Sequence, residues 1–278
     1  MEKTIIPNVL TIAGVDPSGG AGVLADIKAI SALGGYGCGV IAALTAQNTC
    51  AVTGVCPVPA SFVREQLETL FEDVRIDAVK IGMVSSAELI CTIADRLEAH
   101  HARHIVLDPV MVATSGAKLI DDDAITALTE RLFPLAEVIT PNIPETEVLL
   151  DLIAHRGASL DPAKWAEDTD RESTRIVSDT AMEDAGRTVS EHYGCAVLVK
   201  GGHGVADASD LLYADGVATW IHGVRVDNPN THGTGCTLSS AIASNLAKGE
   251  ALPDAIRHAK DYLTGALGAQ LNLGHGSG

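Results

Sequence analysis

A glycine-rich turn late in the chain combines an anion-binding geometry with an ionisable side chain. Its sequence is Asn-Thr-His-Gly-Thr-Gly-Cys over residues 230–236, and an apolar helical pattern follows it to Lys248. Backbone N–H groups at a helix start, together with the positive end of the helix dipole, bind anions, and phosphate above all. The thiol of Cys236 at that helix start is a candidate for a lowered pKa. The turn therefore predicts transfer of a phosphoryl group to a hydroxyl.

Polar residues and glycines also follow the apolar, β-branched runs that we interpret as buried strands. Open parallel sheets bind ligands beyond the carboxyl ends of their strands. We therefore expect the residues at these strand ends to converge on one site. They are Gly14, Asp16, Gln47, Gly82, Met83, Asp108, Asn142 and Lys200.

A second glycine-rich segment follows the first expected strand and opens a helix. It spans residues 16–22 with the sequence Asp-Pro-Ser-Gly-Gly-Ala-Gly. It predicts either close approach of the backbone to a ligand or simply a flexible helix start. Its spacing matches neither the dinucleotide-binding fingerprint nor the P-loop. Asp26, in the helix that follows, is by itself typical of a solvated carboxylate.

Two further segments have both a structural and a functional interpretation. Asn142 is placed to cap a helix whose first turn contains Pro144. Glu145, in the same segment, offers a carboxylate near a magnesium ion that is held partly through water. Lys200, which precedes a pair of glycines, is placed to meet phosphate oxygens as a point charge. Each signal is weak alone, and both interpretations stay open.

Buried strands alternate along the chain with helical patterns. This alternation predicts an α/β fold, a central and mostly parallel sheet with helices on both faces. The expected strands are residues 9–14, 38–46, 78–81, 105–107, 138–140 and 196–199, and a hairpin of residues 211–213 and 217–226. Residues 155–180 are charge-rich and have no clear period. We expect one domain, residues 1–278, with a surface insertion at 155–180.

Composition and charge exclude several classes of protein. A formal net charge of −17 argues against nucleic acid and anionic membranes as partners. Six scattered cysteines without a C-x-x-C pair argue against a disulfide framework and a zinc site. No apolar stretch approaches the roughly 20 residues that span a bilayer, and the N-terminus does not resemble a signal peptide. We expect a cytoplasmic protein.

Taken together, the motifs resemble those of the ribokinase-like superfamily of kinases. The phosphoryl-transfer motif of that superfamily is close to Asp-Thr-x-Gly-Ala-Gly-Asp, in which the last aspartate is the base. Residues 230–236 occupy that frame, and Cys236 stands in the place of the base. This replacement resembles the vitamin-kinase branch, most closely the hydroxymethylpyrimidine/phosphomethylpyrimidine kinases of thiamine biosynthesis. The supporting segments, in the family's order, are residues 10–22, 46–49, 80–83, 107–111, 140–142, 199–203 and 230–237.

The resemblance implies a kinase that uses ATP and Mg²⁺ to phosphorylate an aminopyrimidine alcohol and then its monophosphate. It also implies a homodimer and a role for each candidate residue. The catalytic residues would be Gly233, Thr234, Gly235 and Cys236, and the substrate-binding residues Gly14, Asp26, Gln47, Met83 and Val110. Lys200 and Thr231 would face the ATP phosphates, and Asp108, Asn142 and Glu145 would lie near magnesium.

Three alternatives remain from the sequence. The nearest is a pyridoxal kinase of the same branch, against which the amide of Gln47 and the apolar wall of Met83 favour a pyrimidine. The second is a dinucleotide-dependent oxidoreductase, which the missing fingerprint disfavours. The third is a non-catalytic nucleotide-binding regulator, against which the intact Gly-Thr-Gly-Cys turn argues.

Overall fold

The structure is a computed structural model that describes residues 6–111, 120, 122–154, 174–201, 208–271 and 273–276. Within these residues nine strands form one sheet in the order β3-β2-β1-β4-β5-β6-β7-β8-β9. They are β1 (Asn8–Val15), β2 (Tyr36–Gln47), β3 (Val52–Pro57), β4 (Ala78–Ile81), β5 (Ile105–Leu107), β6 (Val138–Ile139), β7 (Ala196–Val199), β8 (Asp210–Ala214) and β9 (Val217–Ile221). Six neighbouring strands run parallel, namely β2, β1, β4, β5, β6 and β7. Strand β3 pairs antiparallel with β2, β8 pairs antiparallel with β7, and β9 pairs antiparallel with β8.

Helices cover both faces of this sheet, as predicted. They are α1 (Gly22–Ala32), α2 (Ala60–Asp73), α3 (Ala87–Ala99), α4 (Asp122–Ala127), α5 (Ile143–Ala154), α6 (Asp179–Tyr193), α7 (Thr234–Ala247) and α8 (Leu252–Gly268). Helices α2 to α6 pack on one face, and α1, α7 and α8 pack on the other. In β1, Leu10 and Ile12 point to the first core and Val9 to the second. Strands buried on both sides are therefore apolar without interruption.

The predicted hairpin is present as β8 and β9. Its turn residues Asp215 and Gly216 both have positive φ, 51° and 77°, which suits a two-residue hairpin. The second strand ends at Ile221, so the prediction that it runs to Val226 was too long.

Strand β3 was not predicted from the sequence. It is an edge strand, antiparallel to β2, and every one of its residues is exposed. Because successive residues point to opposite faces, both faces of this strand are exposed, and the strand needs no apolar alternation. Its glycine and proline made the segment resemble a loop.

The predicted insertion at 155–180 is only partly within the described residues, because residues 155–173 lie outside them. Its last part is mostly exposed, with Val177 at 85%, but it is anchored at Ile176. Ile176 packs against the first core, and its N–H donates to Glu147 Oε1 at 2.9 Å. Ser178 then caps α6 by accepting the N–H of Ala181 at 3.1 Å. Helix α6 begins at Asp179, so it overlaps the last two residues of the predicted insertion.

Membrane insertion finds no support in the described part of the chain. None of its helices combines the length and the apolar character that crossing a bilayer requires.

Candidate active site

The two glycine-rich segments of the sequence touch each other at one end of the sheet. Gly233 is the N-cap of α7 and has a φ of 78°. A Cβ atom at this position would overlap the carbonyl oxygen of Gly20. Residue 233 must therefore be glycine for two reasons, its left-handed backbone and the close approach of the other loop.

The start of α7 has the anion-binding geometry that the sequence predicts. The N–H of Thr237 makes the first bond to a carbonyl four residues back, that of Gly233, at 2.9 Å. The N–H groups of Gly235 and Cys236 precede it and have no such carbonyl within the helix. A Cβ on Gly235 would lie 3.0 Å from Asp108 Oδ2 and 3.4 Å from Lys200 Nζ. A carboxylate and an ammonium group therefore flank the turn.

Lys200 and Asp108 form an ion pair between the ends of β7 and β5. Lys200 Nζ donates to Asp108 Oδ1 at 2.7 Å, and Thr140 Oγ1 donates to the same oxygen at 3.2 Å. Burial lowers the pKa of Lys200, but the carboxylates of Asp108 and Glu145 raise it more. The lysine therefore keeps its charge at a place where phosphate oxygens would meet it.

Asn142 and Glu145 cap α5 reciprocally. Asn142 Oδ1 accepts the N–H of Glu145 at 2.8 Å, and Glu145 Oε2 accepts the N–H of Asn142 at 2.8 Å. This confirms the capping interpretation of Asn142. The role of both residues near magnesium stays a prediction.

Glu145 is nonetheless an unusual capping residue, because only 2% of it is exposed. Burial raises its pKa to about 7, although Lys200 lowers it, and Asp108 raises it further. Its other oxygen, Oε1, accepts the N–H of Met111 at 3.4 Å. Both carboxylate oxygens of Glu145 therefore already have partners in the protein.

The donor set at these strand ends fits a magnesium ion held mainly by phosphate and water. No group of three or more His, Cys, Asp or Glu residues within the described chain could hold a metal alone. Mg²⁺ commonly takes one or two carboxylates and completes its shell with substrate phosphates and water. Asp108 Oδ2 points toward Gly235 at the anion-binding turn. It is the carboxylate oxygen best placed for such an ion.

The expectation that the pKa of Cys236 is lowered was wrong for the ligand-free protein. Burial raises the pKa of this thiol. Lys80 and the N–H of Gly22 favour the thiolate, whereas the carboxylates of Asp26 and Asp108 oppose it. Desolvation, together with the two carboxylates, therefore outweighs the effects of Lys80 and Gly22 on this thiol.

We therefore expect Cys236 to be a slow nucleophile in the absence of ligands. The measurement is the rate at which iodoacetamide alkylates Cys236 at increasing pH, followed by peptide mass spectrometry. This rate should still rise above a pH of about 8.5, at which a free thiol titrates. The exposed Cys50 serves as the internal reference. A Cys236 labelling rate that levels off below pH 8 would contradict the raised pKa.

The carboxylate of Asp26 is completely buried and fully bonded. It accepts Thr11 Oγ1 at 2.6 Å, Ser240 Oγ at 2.8 Å and Lys80 Nζ at 2.8 and 3.0 Å. The interpretation of Asp26 as a solvated carboxylate was therefore wrong. The contact of Asp26 with substrate stays a prediction. The protein itself already supplies three donor groups to the Asp26 carboxylate.

Lys80 is a residue of this site whose role the sequence analysis missed. It lies in a strand whose other residues are Ala78, Val79 and Ile81, and it is completely buried. A lysine in such a strand requires a buried carboxylate, which was the available signal. A Cβ on Gly82 would lie only 2.7 Å from Lys80 Nζ, so the glycine makes room for the ammonium group.

The other predicted residues lie around the same end of the sheet. A Cβ on Gly14 would lie 3.3 Å from the terminal methyl group of Met83, so these two residues are brought together. Gln47 ends β2, and its amide contacts the ring of His232. Val110 follows β5, and its N–H donates to the carbonyl of Asp108 at 2.9 Å.

Thr231 and Thr234 form the outer part of the turn before α7. Thr234 Oγ1 donates to the carbonyl oxygen of Thr231 at 3.0 Å, and Thr231 is exposed. Their predicted contacts with nucleotide and phosphate stay predictions.

Comparison with known proteins agrees with this arrangement. A family model described as phosphomethylpyrimidine kinase matches residues 16–278. The hydroxymethylpyrimidine/phosphomethylpyrimidine kinase of Haemophilus influenzae is 40% identical over 278 residues, which cover 98% of this chain and 95% of that protein. The thiamine biosynthesis bifunctional protein of Geobacter sulfurreducens is 45% identical over 98% of this chain, which spans only 51% of that relative.

Solved structures of two kinds of vitamin kinase resemble this chain. The phosphomethylpyrimidine kinase of Clostridium difficile is 38% identical with a TM-score of 0.76, over 94% of this chain and 99% of that one. The pyridoxal kinase of Bacillus subtilis is 29% identical with a TM-score of 0.79, over 97% and 95%. The ribokinase-like fold and the kinase class predicted from the sequence are thereby confirmed, and the chain belongs to the phosphomethylpyrimidine kinase family.

Proposed function

We propose that this chain transfers the γ-phosphoryl group of ATP to 4-amino-5-hydroxymethyl-2-methylpyrimidine, and then phosphorylates the monophosphate to the diphosphate in thiamine biosynthesis. The observation that carries the proposal is the start of α7. There the Cys236 thiol lies in the same turn as Gly235, whose Cα is flanked by Asp108 and Lys200. Anion donors, a cation and a group for the hydroxyl proton are thus within one turn.

Phosphoryl transfer requires mostly positioning and neutralisation of charge. The hydroxyl oxygen forms a bond to the γ-phosphorus as the bond to the β–γ bridging oxygen breaks. The N–H groups of Gly235 and Cys236 and the ammonium group of Lys200 hold the oxygens of the transferring group. Asp108 would hold a Mg²⁺ ion here, which would supply further charge neutralisation when bound. Cys236 orients the hydroxyl and takes its proton in the thiolate form, which Lys80 and the N–H of Gly22 favour.

A raised thiol pKa is compatible with this role of Cys236. The transition state of phosphoryl transfer is loose, so the attacking hydroxyl needs little activation by a base. A second phosphorylation also fits, because a phosphate nucleophile has no hydroxyl proton that a strong base must remove. We propose that Cys236 acts more through position than through basicity.

Pyridoxal is the second candidate substrate. The observation in its favour is the similarity to solved pyridoxal kinases, including one from Staphylococcus aureus in complex with pyridoxal, which is 29% identical with a TM-score of 0.76. The deciding experiment is ADP release with the aminopyrimidine alcohol, its monophosphate, pyridoxal and a sugar. We expect the highest kcat/KM with the two pyrimidines. A preference for pyridoxal would instead establish the second candidate.

The Gln47→Leu variant tests the substrate pocket. It keeps about the same size but removes the donor and acceptor proposed to pair with the pyrimidine edge. Loss of a buried hydrogen-bond partner costs about 1–3 kcal/mol, which corresponds to an increase of roughly 5- to 150-fold in KM for the pyrimidine. The KM for ATP, measured on the same protein, is the control and should not change. An unchanged KM for the pyrimidine would place Gln47 away from the substrate.

We also propose that the chain forms one domain and acts in the cytoplasm as a homodimer, as its family resemblance implies. The exposed edge formed by β2 and β3 carries the apolar side chains of Leu44, Val52 and Val55, each more than half exposed. Light scattering on the purified protein measures the oligomer directly. A monomeric mass would remove the dimer from the proposal.

A further inference from the structure

The ring of His232 connects the turn before α7 with the ends of two strands. His232 Nε2 lies 2.9 Å from Asp16 Oδ2, just after β1, and 3.2 Å from the amide nitrogen position of Gln47, at the end of β2. A Cβ on Gly20 would lie 3.0 Å from the Cδ2 atom of His232, so the glycine leaves room for the ring. The motif comparison gave no role to His232 or to Asp16.

The environment of Asp16 decides where the histidine carries its proton. Only 3% of Asp16 is exposed, and its carboxylate accepts the N–H of Ser18 at 2.8 Å, the hydroxyl of Ser18 at 2.8 Å and the N–H of Ala21 at 3.1 Å. Burial raises the pKa of Asp16, but the bonds from His232 and Ser18 lower it more. An ionised carboxylate only accepts hydrogen bonds. His232 Nε2 therefore carries a hydrogen and donates it to Asp16.

This proton determines the orientation of the Gln47 amide. A protonated Nε2 cannot accept a hydrogen bond from an amide N–H, so the amide oxygen faces His232 and shares the single Nε2 hydrogen with Asp16 in a three-centre bond. The other end of the amide lies 3.2 Å from Thr45 Oγ1, whose one hydrogen can go to that end of the amide or to the carbonyl oxygen of Val15 at the shorter distance of 2.9 Å. When the Thr45 hydroxyl donates to Val15, it can only accept a hydrogen bond from Gln47. Of the two ends of the amide, only the nitrogen can donate one. His232 requires the amide to be rotated by 180°, and Thr45 permits that rotation because its hydroxyl can also accept a hydrogen bond.

We infer that His232, held by Asp16, is a specificity-determining positioning residue that fixes the donor and acceptor of Gln47 in one order toward the substrate. The inference rests on the proposed function. Once the oxygen bonds His232 and the nitrogen bonds Thr45, one lone pair and one N–H of the amide remain. An aminopyrimidine edge offers the complementary pair, a ring nitrogen and an amino group. The in-line position of the hydroxymethyl group fixes the ring, so a rotated amide would set donor against donor.

A double-mutant cycle between His232 and Gln47 tests this inference. His232→Phe keeps a ring but removes the N–H, and we expect it to raise the KM for the pyrimidine about tenfold, because an unfixed amide loses a hydrogen bond to the substrate. Gln47→Leu should raise it by a similar factor. Because His232 acts through Gln47, the double variant should be no worse than Gln47→Leu alone. His232→Gln, which retains an N–H donor, should recover most of the lost affinity.

The controls separate positioning from a general effect on the fold. The KM for ATP and the unfolding temperature should stay near those of the wild type in every variant. His258→Phe replaces a histidine whose side chain is 56% exposed and should change none of these quantities. The same cycle is repeated with the Kd of the aminopyrimidine, measured by calorimetry for each variant, because this quantity does not depend on turnover.

Two results would overturn the inference. In the first, the effects of His232→Phe and Gln47→Leu multiply in the double variant, so that the residues act independently. In the second, His232→Phe raises the KM for ATP as much as that for the pyrimidine. A wild-type protein that neither binds nor phosphorylates the pyrimidine is a different result, which overturns the proposed function.

Discussion

The Cys236→Ala variant is expected to lose about 10²-fold in kcat, the scale on which misplacement of a reacting group lowers the rate. Its Kd for ATP should stay near the wild-type value. The anion donors of the turn are backbone N–H groups, and Gly233, which shapes the turn, is unchanged. Steady-state ADP release and nucleotide titration by calorimetry measure the two quantities separately.

Two further variants give this prediction its controls. Cys236→Asp supplies a carboxylate at the position where the superfamily resemblance places the base, and it should retain part of the activity. Cys56→Ala removes an exposed cysteine on β3 and should leave both kcat and the Kd for ATP unchanged. Near-wild-type turnover in Cys236→Ala would remove the thiol from the mechanism.

The rule that parallel strands place their carboxyl ends together predicted the convergence of residues far apart in the sequence. Asp108 and Lys200 follow β5 and β7, and they meet at 2.7 Å although 92 residues separate them. The left-handed backbone of Gly233 likewise follows from a glycine turn that must approach another loop closely. Such features depend on topology and backbone sterics, which the order of strands and glycines encodes.

The electrostatics of the site could not be predicted in the same way. A pKa depends on burial and on charges from other elements, so the helix start alone gave the wrong sign for Cys236. The burial of Asp26 depends on Lys80, which is 54 positions away in the sequence. Strand β3 was missed because an exposed edge leaves no periodic pattern. In each case the deciding interaction is tertiary.

The Lys80→Met variant is expected to lower the free energy of unfolding by about 3–5 kcal/mol, as removal of one partner from a buried ion pair generally does. Lys80 and Asp26 are both fully buried and meet at 2.8 Å. Burial lowers the pKa of Lys80, but Asp26, Cys236 and Asp108 raise it more, so its charge is kept. Methionine fills about the same volume but leaves the Asp26 carboxylate without its cation. Urea unfolding measures the loss.

The chain offers an exposed ion pair as the matched control. Arg187 and Asp184 pair on the surface of α6, where both side chains are more than half exposed. Arg187→Met should therefore cost less than about 1 kcal/mol. Replacing both buried partners, in Lys80→Met with Asp26→Leu, should recover part of the stability, because no uncompensated charge remains. If Lys80→Met is as stable as Arg187→Met, then the charge of Lys80 does not stabilise this core, and Thr11 and Ser240 suffice to hold Asp26.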